Sequence, residues 1–556
     1  KIVQMDEVVF FGLLNDLFPD LNPPRVFDEE LSECIATACD NHGLWPDPFF
    51  TLKVMQLDEL LDIRHCVFIM GPAGAGKSTC WKMLQAARNL RHPDNKVKTV
   101  DLNPKTMPTE ELYGHISMST REWKDGLLSS IMRDLGRLPS ESPKWMILDG
   151  DLDANWIESM NSVMDDNKML TLASNERIPL KHYMRMVFEI RDLKYATPAT
   201  VSRAGILYIS TDGGSQWRSI IGSWVRSRKE ELLEDTDREN IHSMFEKYMP
   251  GCLKYFAMEL QGVVPCNDIS ISVSVLRLLD TILTRSIVLD ATAFEITFVF
   301  CLIWGFGSVL TISDDGTDHR KLFSEWFRSK FKSVKIPSRD TIFDYWLDPK
   351  TSKFESWKSS PAFRDIEFDS TVLNMSEVTV PTAETASVSY WLDLLVKGGY
   401  HVMLAGPAGT GKTQLVNGLL TSLQPEQHIY TNVNMNFYTT ASVLLTSLDA
   451  QLQKRTGTTF GPPGSAKLVY FVDDLNLPEV DPYGTQSAIA LLRQHIDYGH
   501  WYDLQKLALK TVDDCQYISA LNPTAGSFMV DARLQRHFTC FSVGMPSATS
   551  LLTIYQ

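Results

Sequence analysis

The chain has 556 residues, 44% hydrophobic and 22% charged, close to the globular average, which excludes a mainly disordered, collagenous or coiled-coil protein. Lys and Arg number 53 against 68 Asp and Glu, a net charge of -15, so nucleic-acid binding is not expected as its main task. Three to five structural units are expected at about 100–200 residues each.

The chain opens on Lys1 without a signal peptide and is expected to start inside a longer polypeptide. Residues 1–29 read as a leading segment and 30–215 as a doubly wound α/β unit, because short β-rich runs alternate with helical stretches. Within it, HCVFIMGPAGAGKSTCWKML runs from His65: an apolar strand, a glycine-rich loop and a helix. Gly71, Pro72, Ala73, Gly74, Ala75, Gly76, Lys77 and Ser78 fit G-x-x-x-x-G-K-[ST], and Thr79 continues the helix. Glycines let backbone N–H groups wrap phosphate oxygens. Lys77 supplies a cation to the β/γ-phosphates and Ser78 a hydroxyl to Mg²⁺, while the helix points its positive end at the anion.

Such a loop needs a metal-orienting carboxylate at a neighbouring strand end. WMILDGDLD supplies Asp149. Gly150 follows, where hydrolytic relatives of this loop type carry a water-polarising Glu, and Asp151 points to the opposite face. The first site is therefore expected to bind nucleotide without appreciable turnover. Asn175 in LASNER reads as a turn residue.

Residues 216–345 read as a helical lid. They include an uncharged run at 296–313, expected to be a helix buried on all sides rather than a membrane span. A loop-like stretch with Pro337, Pro349 and Pro361 follows, and 346–377 is expected to connect to a second α/β unit over 378–556. There HVMLAGPAGTGKTQLVNGLL repeats the pattern through Gly406, Pro407, Ala408, Gly409, Thr410, Gly411, Lys412, Thr413 and Gln414. Asp473 is the second metal-orienting candidate. Asp474 stands where the water-polarising Glu is usual, one methylene short, and a misplacement of about an ångström can cost on the order of a hundredfold in rate. Lys124, Trp501 and Tyr502 do not form a basic or aromatic pore-loop cluster. The nine cysteines form no CxxC pair, which fits free thiols better than disulfides or zinc.

Five phrases resemble the AAA+ superfamily, and within it the dynein heavy chains: KVMQLDELLDIRH (53–65), ILDGDLDANWIESMNSVMDDNKMLTLASNERIPL (147–180), FEIRDLKYATPATVSRAGI (188–206), VDDLNLPEVDPYGTQSAIALLRQ (472–494) and LNPTAGSFMVDARLQRHF (521–538). The resemblance implies tandem P-loop AAA+ modules, the second and most of the third of a motor ring, with ATP/ADP and Mg²⁺ as cofactors. It implies that Asn522 helps hold the γ-phosphate and water. The first module departs, with Arg191 or Asp192 near that position. It makes Arg536 the arginine finger reaching the first site, with Arg533 a weaker candidate. Arg203, read as matching Arg536 at 14 residues beyond each strand's polar position, would serve the preceding module. The DDLN phrase resembles axonemal, outer-arm chains. The implied partners are neighbouring modules of the same heavy chain, intermediate and light chains, and microtubules only through regions outside these residues, with neither nucleic acid nor membrane. The implied location is the axoneme of a cilium or flagellum, the cytoplasm being the alternative. A nucleotide-binding scaffold and another AAA+ remodelling ATPase are the rival readings.

Overall fold

The computed structural model describes residues 7–19, 27–211, 214, 216–228, 233–363, 380–523 and 530–555. The connecting region expected at 346–377 lies outside the described residues from 364 onward.

Two parallel five-stranded sheets dominate. The first contains β1 (Cys66–Met70), β2 (Lys98–Leu102), β3 (Lys144–Asp149), β4 (Met184–Ile190) and β5 (Gly205–Tyr208), in the order β2-β3-β4-β1-β5. The second contains β6 (Val402–Ala405), β7 (His428–Asn434), β8 (Lys467–Asp473), β9 (Cys515–Leu521) and β10 (Thr539–Ser542), in the equivalent order β7-β8-β9-β6-β10. Their central strands read CVFIM and VMLA, continuous apolar runs buried on both faces, as parallel sheets require. The expected α/β class with two doubly wound cores is what the chain adopts.

Each P-loop joins the central strand to a helix, α1 (Lys77–Arg91) in the first core. Gly76 precedes α1 with φ +92°, a left-handed conformation that glycine adopts without steric cost. Close approach fixes the loop's first glycine: a Cβ on Gly71 would lie 2.4 Å from the Ile209 carbonyl oxygen.

The lid contains helices Gln216–Ser227, Asp235–Glu259, Asp268–Ile282, α2 (Ala291–Gly307) and His319–Lys330. Residues 296–307 of the uncharged run lie on α2, buried from Thr297 through the helix end, while the rest of the run leaves the helix and reaches the exposed Ile312. Its glycines allow close packing: a Cβ on Gly305 would meet Val275 at 2.3 Å, and one on Gly307 would meet Phe343 at 1.9 Å. Among the described residues no helix is long and apolar enough to cross a membrane. Phe300 of α2 stacks on Trp391 of the second unit, ring centroids 5.1 Å apart. The lid and the second core thereby share one continuous hydrophobic cluster, distinct from the two clusters flanking the first sheet.

The stretch read as loop-like is more ordered than its prolines suggest. Strands Tyr345–Asp348 and Lys353–Ser356 form an antiparallel hairpin. Trp357 is buried beside it and donates its indole N–H to the Phe343 carbonyl at 2.7 Å. Burial of a large aromatic with its polar handle satisfied outweighs the turn-forming residues here.

In the second core α3 (Lys412–Ser422) follows the P-loop, α4 (Ser487–Tyr498) packs toward the first unit, and α5 (Ala532–Gln535) leads into β10. The strand His500–Asp503, holding Trp501 and Tyr502, docks on the first sheet: Tyr502 donates its hydroxyl to the Asp101 carbonyl and His500 meets the Asp101 carboxylate, both at 2.7 Å. Trp501 is fully buried, a packing residue as expected. Lys124 sits on the exposed strand Trp123–Asp125 of a hairpin. Asn175 has φ +66° between strands Met169–Thr171 and Arg177–Pro179, the turn position read from LASNER. All nine cysteines are free.

Candidate functional site

The first P-loop opens onto a cavity of about 210 Å³. Ala73, Gly74, Gly76, Lys77, Ser78 and Thr79 line one wall, and Arg533 and Arg536 of the second core line the other. The loop and its expected finger Arg536 thus meet at the junction of the two units. Lys77 donates to the Gly71 and Pro72 carbonyls at 2.7 and 2.8 Å. Burial and the nearby Arg533 guanidinium lower its ammonium pKa below the ordinary lysine value.

Asp149 departs from its expected place. Ser78 does not touch it; the hydroxyl donates instead to Glu189 at 2.8 Å. Asp149 is held by the second unit: its Oδ2 accepts from Arg493 at 2.6 Å and from the Tyr498 hydroxyl at 2.9 Å, and its Oδ1 pairs with Arg533. Burial alone would raise the Asp149 pKa, but the two guanidiniums outweigh it and hold the carboxyl well below the ordinary range. Residues Arg493 and Asp497 stand one helical turn apart on α4, within 3.3 Å, where i and i+4 side chains meet. Asp497 also takes Arg536 at 2.6 Å. Arg533, placed second to Arg536 from sequence, is the more deeply buried and reaches both Asp149 and Glu189.

Glu189 lies beside Asp149 across β3 and β4. It is fully buried and also accepts the Trp81 indole N–H at 2.6 Å. Burial and the neighbouring Asp149 charge raise its pKa. Sequence reading passed over this residue, although a lone carboxylate inside the apolar strand MVFEI was its signal. Arg493, Asp497 and Tyr498 gave no such signal, because they belong to an ordinary amphipathic helix.

Strand register fixes which residues of the two cores correspond. Gly71 donates to the Ile190 carbonyl as Gly406 does to that of Leu521, so Arg191 corresponds to Asn522. Arg203 therefore follows that position by 12 residues, whereas Arg536 follows it by 14, and the match from equal spacing does not hold. Counting instead from β5 and β10, which pair with β1 and β6, Arg203 aligns with His537. The guanidinium of Arg203 pairs with Asp165 at the end of helix Pro198–Arg203.

Gly150 is buried, and a Cβ there would stand 2.8 Å from Asn103 Oδ1 and 3.0 Å from Pro104. A side chain at this position would require Asn103 or Pro104 to shift. Gly150→Ala is expected to destabilise the protein by roughly 1–3 kcal/mol through overpacking. Thermal unfolding that leaves the midpoint unchanged would contradict this.

In the second site Lys412 donates to the Gly406 and Pro407 carbonyls at 2.8 and 2.7 Å. Here Thr413 does donate to the expected carboxylate, Asp473 Oδ2, at 2.8 Å. A hydroxyl and a carboxylate converging beside the loop suit a hard cation bound with phosphate. Asp474 has φ +54°, a region Asp tolerates better than most residues. Burial and the adjacent Asp473 raise its pKa. Asn522 follows β9 directly, and its carbonyl accepts from the Asn476 side chain at 2.9 Å. A groove of about 460 Å³ runs along α3 past Gln414, Leu415 and Gly418 to Thr385 and Tyr390.

Four sequence families match the chain: "Hydrolytic ATP binding site of dynein motor region" over 1–78, "AAA domain (dynein-related subfamily)" over 66–204, "Dynein heavy chain AAA lid domain" over 241–359 and "P-loop containing dynein motor region" over 368–546. Among curated relatives, the flagellar outer-arm dynein alpha chain of Chlamydomonas reinhardtii is 44% identical and covers the whole chain. Human dynein axonemal heavy chain 17 and the ciliary dynein beta chain of Tripneustes gratilla are each 46% identical over the whole chain. The chain spans only 12 to 13% of the length of these relatives.

Proposed function

The chain belongs to the dynein heavy-chain family, and from that premise we propose that it forms two consecutive AAA+ modules of an ATP-driven microtubule motor working in the axoneme of a cilium or flagellum. The first site holds ATP as a structural staple. The second is a slow or conditional ATPase that regulates the ring. The assigned units are the first α/β core at 30–215, its lid at 216–345 and the second α/β core from 378. Neighbouring modules of the same heavy chain are the direct partners; intermediate chains, light chains and microtubules engage through other parts of the protein.

One observation carries this reading: the two sites differ at the position that must polarise water. At the first, Gly150 offers no carboxylate and a Cβ there would crowd Asn103 and Pro104, and Asp149 is committed to two arginines of the next module. At the second, Thr413 donates to Asp473, and the next residue, Asp474, is a carboxylate rather than a glycine. Mg²⁺ bound with the nucleotide would neutralise phosphate charge; Thr413 and Asp473 are the residues to hold it at the second site. Lys77 and Lys412 hold the β/γ-phosphates, Asn522 orients water at the second site, and Arg536 approaches the first nucleotide from across the junction. Bound ATP would also stabilise the module contact, by about 2.7 kcal/mol at a hundredfold excess over the dissociation constant.

The test is nucleotide content. The whole motor is incubated with ATP, freed of excess and denatured, and the released nucleotide is identified. The share that disappears in Lys77→Ala is expected to be ATP, and Lys412→Ala is expected to remove a separate share. Finding ADP as the Lys77-dependent share would sink the staple.

A further inference from the structure

The first site carries two buried carboxylates side by side, of which Glu189, not Asp149, lines the cavity beside the P-loop. Asp149 is the strand-end residue expected to orient a cation, yet both its oxygens are occupied by groups of the next module. It does not line the cavity beside the P-loop; Glu189 does. The Ser78 hydroxyl, the loop's own metal-facing group, donates to Glu189 Oε2 at 2.8 Å. Trp81 fixes the other oxygen at 2.6 Å, which orients the carboxylate toward the loop. In the second site the equivalent hydroxyl, on Thr413, points to the strand-end Asp473 instead, and the position matching Glu189 is Ala520.

We propose that Glu189, with Ser78, faces the divalent cation of the first site, and that Asp149 serves only to lock the neighbouring module. The chemistry favours this division. Mg²⁺ binds through one or two carboxylates together with nucleotide phosphates. Recruiting Asp149 would strip two buried guanidiniums of their partner, and unpaired buried charge is strongly disfavoured. Turning Ser78 and Glu189 toward a cation leaves the Asp149 pairs with Arg493 and Arg533 in place and gives up only longer contacts, Arg533 to Glu189 at 3.8 Å and the Tyr498 hydroxyl to Glu189 at 3.4 Å. The second core thus consumes the usual metal carboxylate as a fastener, and β4 supplies a substitute.

This inference rests on the nucleotide reading of the first site, and the experiment separates the two. In the whole motor, the Lys77-dependent share of bound ATP is followed as it dissociates in Mg²⁺ and in EDTA. Wild type is expected to release it at least about tenfold faster in EDTA. In Glu189→Gln, release in Mg²⁺ is expected to match release in EDTA. Asp149→Asn is expected to keep the Mg²⁺ dependence, whatever it does to overall stability. With Mn²⁺ in place of Mg²⁺, electron paramagnetic resonance should count one fewer bound ion in Glu189→Gln. Glu189→Asp, which keeps the charge, should restore that ion and part of the Mg²⁺ dependence, and so guards against misfolding of the Gln variant. Survival of Mg²⁺-dependent retention in Glu189→Gln, or its loss in Asp149→Asn, overturns the proposal. A wild-type motor with no Lys77-dependent nucleotide would instead overturn the reading beneath it.

Discussion

Arg533→Ala is expected to weaken the junction between the two modules by about 3–5 kcal/mol, the usual cost of removing one partner from a buried ion pair. The guanidinium is nearly inaccessible and serves three carboxylates of the first unit: it pairs with Asp149 and stands 3.5 Å from Asp151 and 3.8 Å from Glu189. Truncation would leave Asp149 with Arg493 and Tyr498 alone, and Glu189 with no guanidinium. Arg533→Lys should recover only part of the loss, since an ammonium cannot reproduce the planar fork. Urea unfolding of the motor, with hydrogen exchange followed on β3 and β4, reads the effect. Wild-type protection in both strands of Arg533→Ala would show that the cluster does not hold the modules together.

Stability of the second core is expected to fall as the pH drops from 6.5 toward 4. Burial holds His495 neutral, its pKa lowered to about 4, and holds His401 neutral at about 3. His401 accepts the Tyr517 backbone N–H at 3.1 Å, and His495 contacts the Tyr517 hydroxyl at 2.7 Å, so the two brace β9. Unfolded histidines titrate near 6.5. Below that pH the unfolded chain binds protons that the folded chain refuses, which favours unfolding. The shifts correspond to roughly 3 kcal/mol for His495 and roughly 5 kcal/mol for His401. Asp149 acts in a lower window: its folded pKa is depressed, so its contribution persists above the ordinary carboxylate range and is lost only on further acidification. Glu189 has the opposite sign, its folded pKa being raised, and stability is gained as it takes a proton. Denaturant midpoints at pH 7.5, 6.0 and 5.0 test this. His495→Gln should flatten the slope, and a stability that does not change between pH 7.5 and 5.0 would contradict it.

Much of the architecture was legible in the residues. Each P-loop declared itself through glycines whose roles are local: a left-handed turn at Gly76 or Gly411, and a backbone approach at Gly71 or Gly406 that excludes a Cβ. The buried strands read as apolar runs because a parallel sheet covered on both faces admits little else. The absence of a side chain at Gly150 was likewise visible, although its cause, the crowding by Asn103 and Pro104, was not. The loop-like reading around Pro349 failed because the burial of Trp346 and Trp357 depends on what packs against them.

The sequence by itself determined the two nucleotide loops, their repeat, the apolar strands and the family resemblance, because these depend on neighbours in the chain and on periodicity. Only the tertiary structure decided which carboxylate faces each loop. Asp149 and Asp473 stand in equivalent sequence surroundings, yet one is claimed by Arg493 and Arg533, hundreds of residues away, and the other is left to Thr413. Electrostatic partnership in a buried site is set by proximity in space, where low polarisability makes a few ångströms decisive, and no local spacing encodes it.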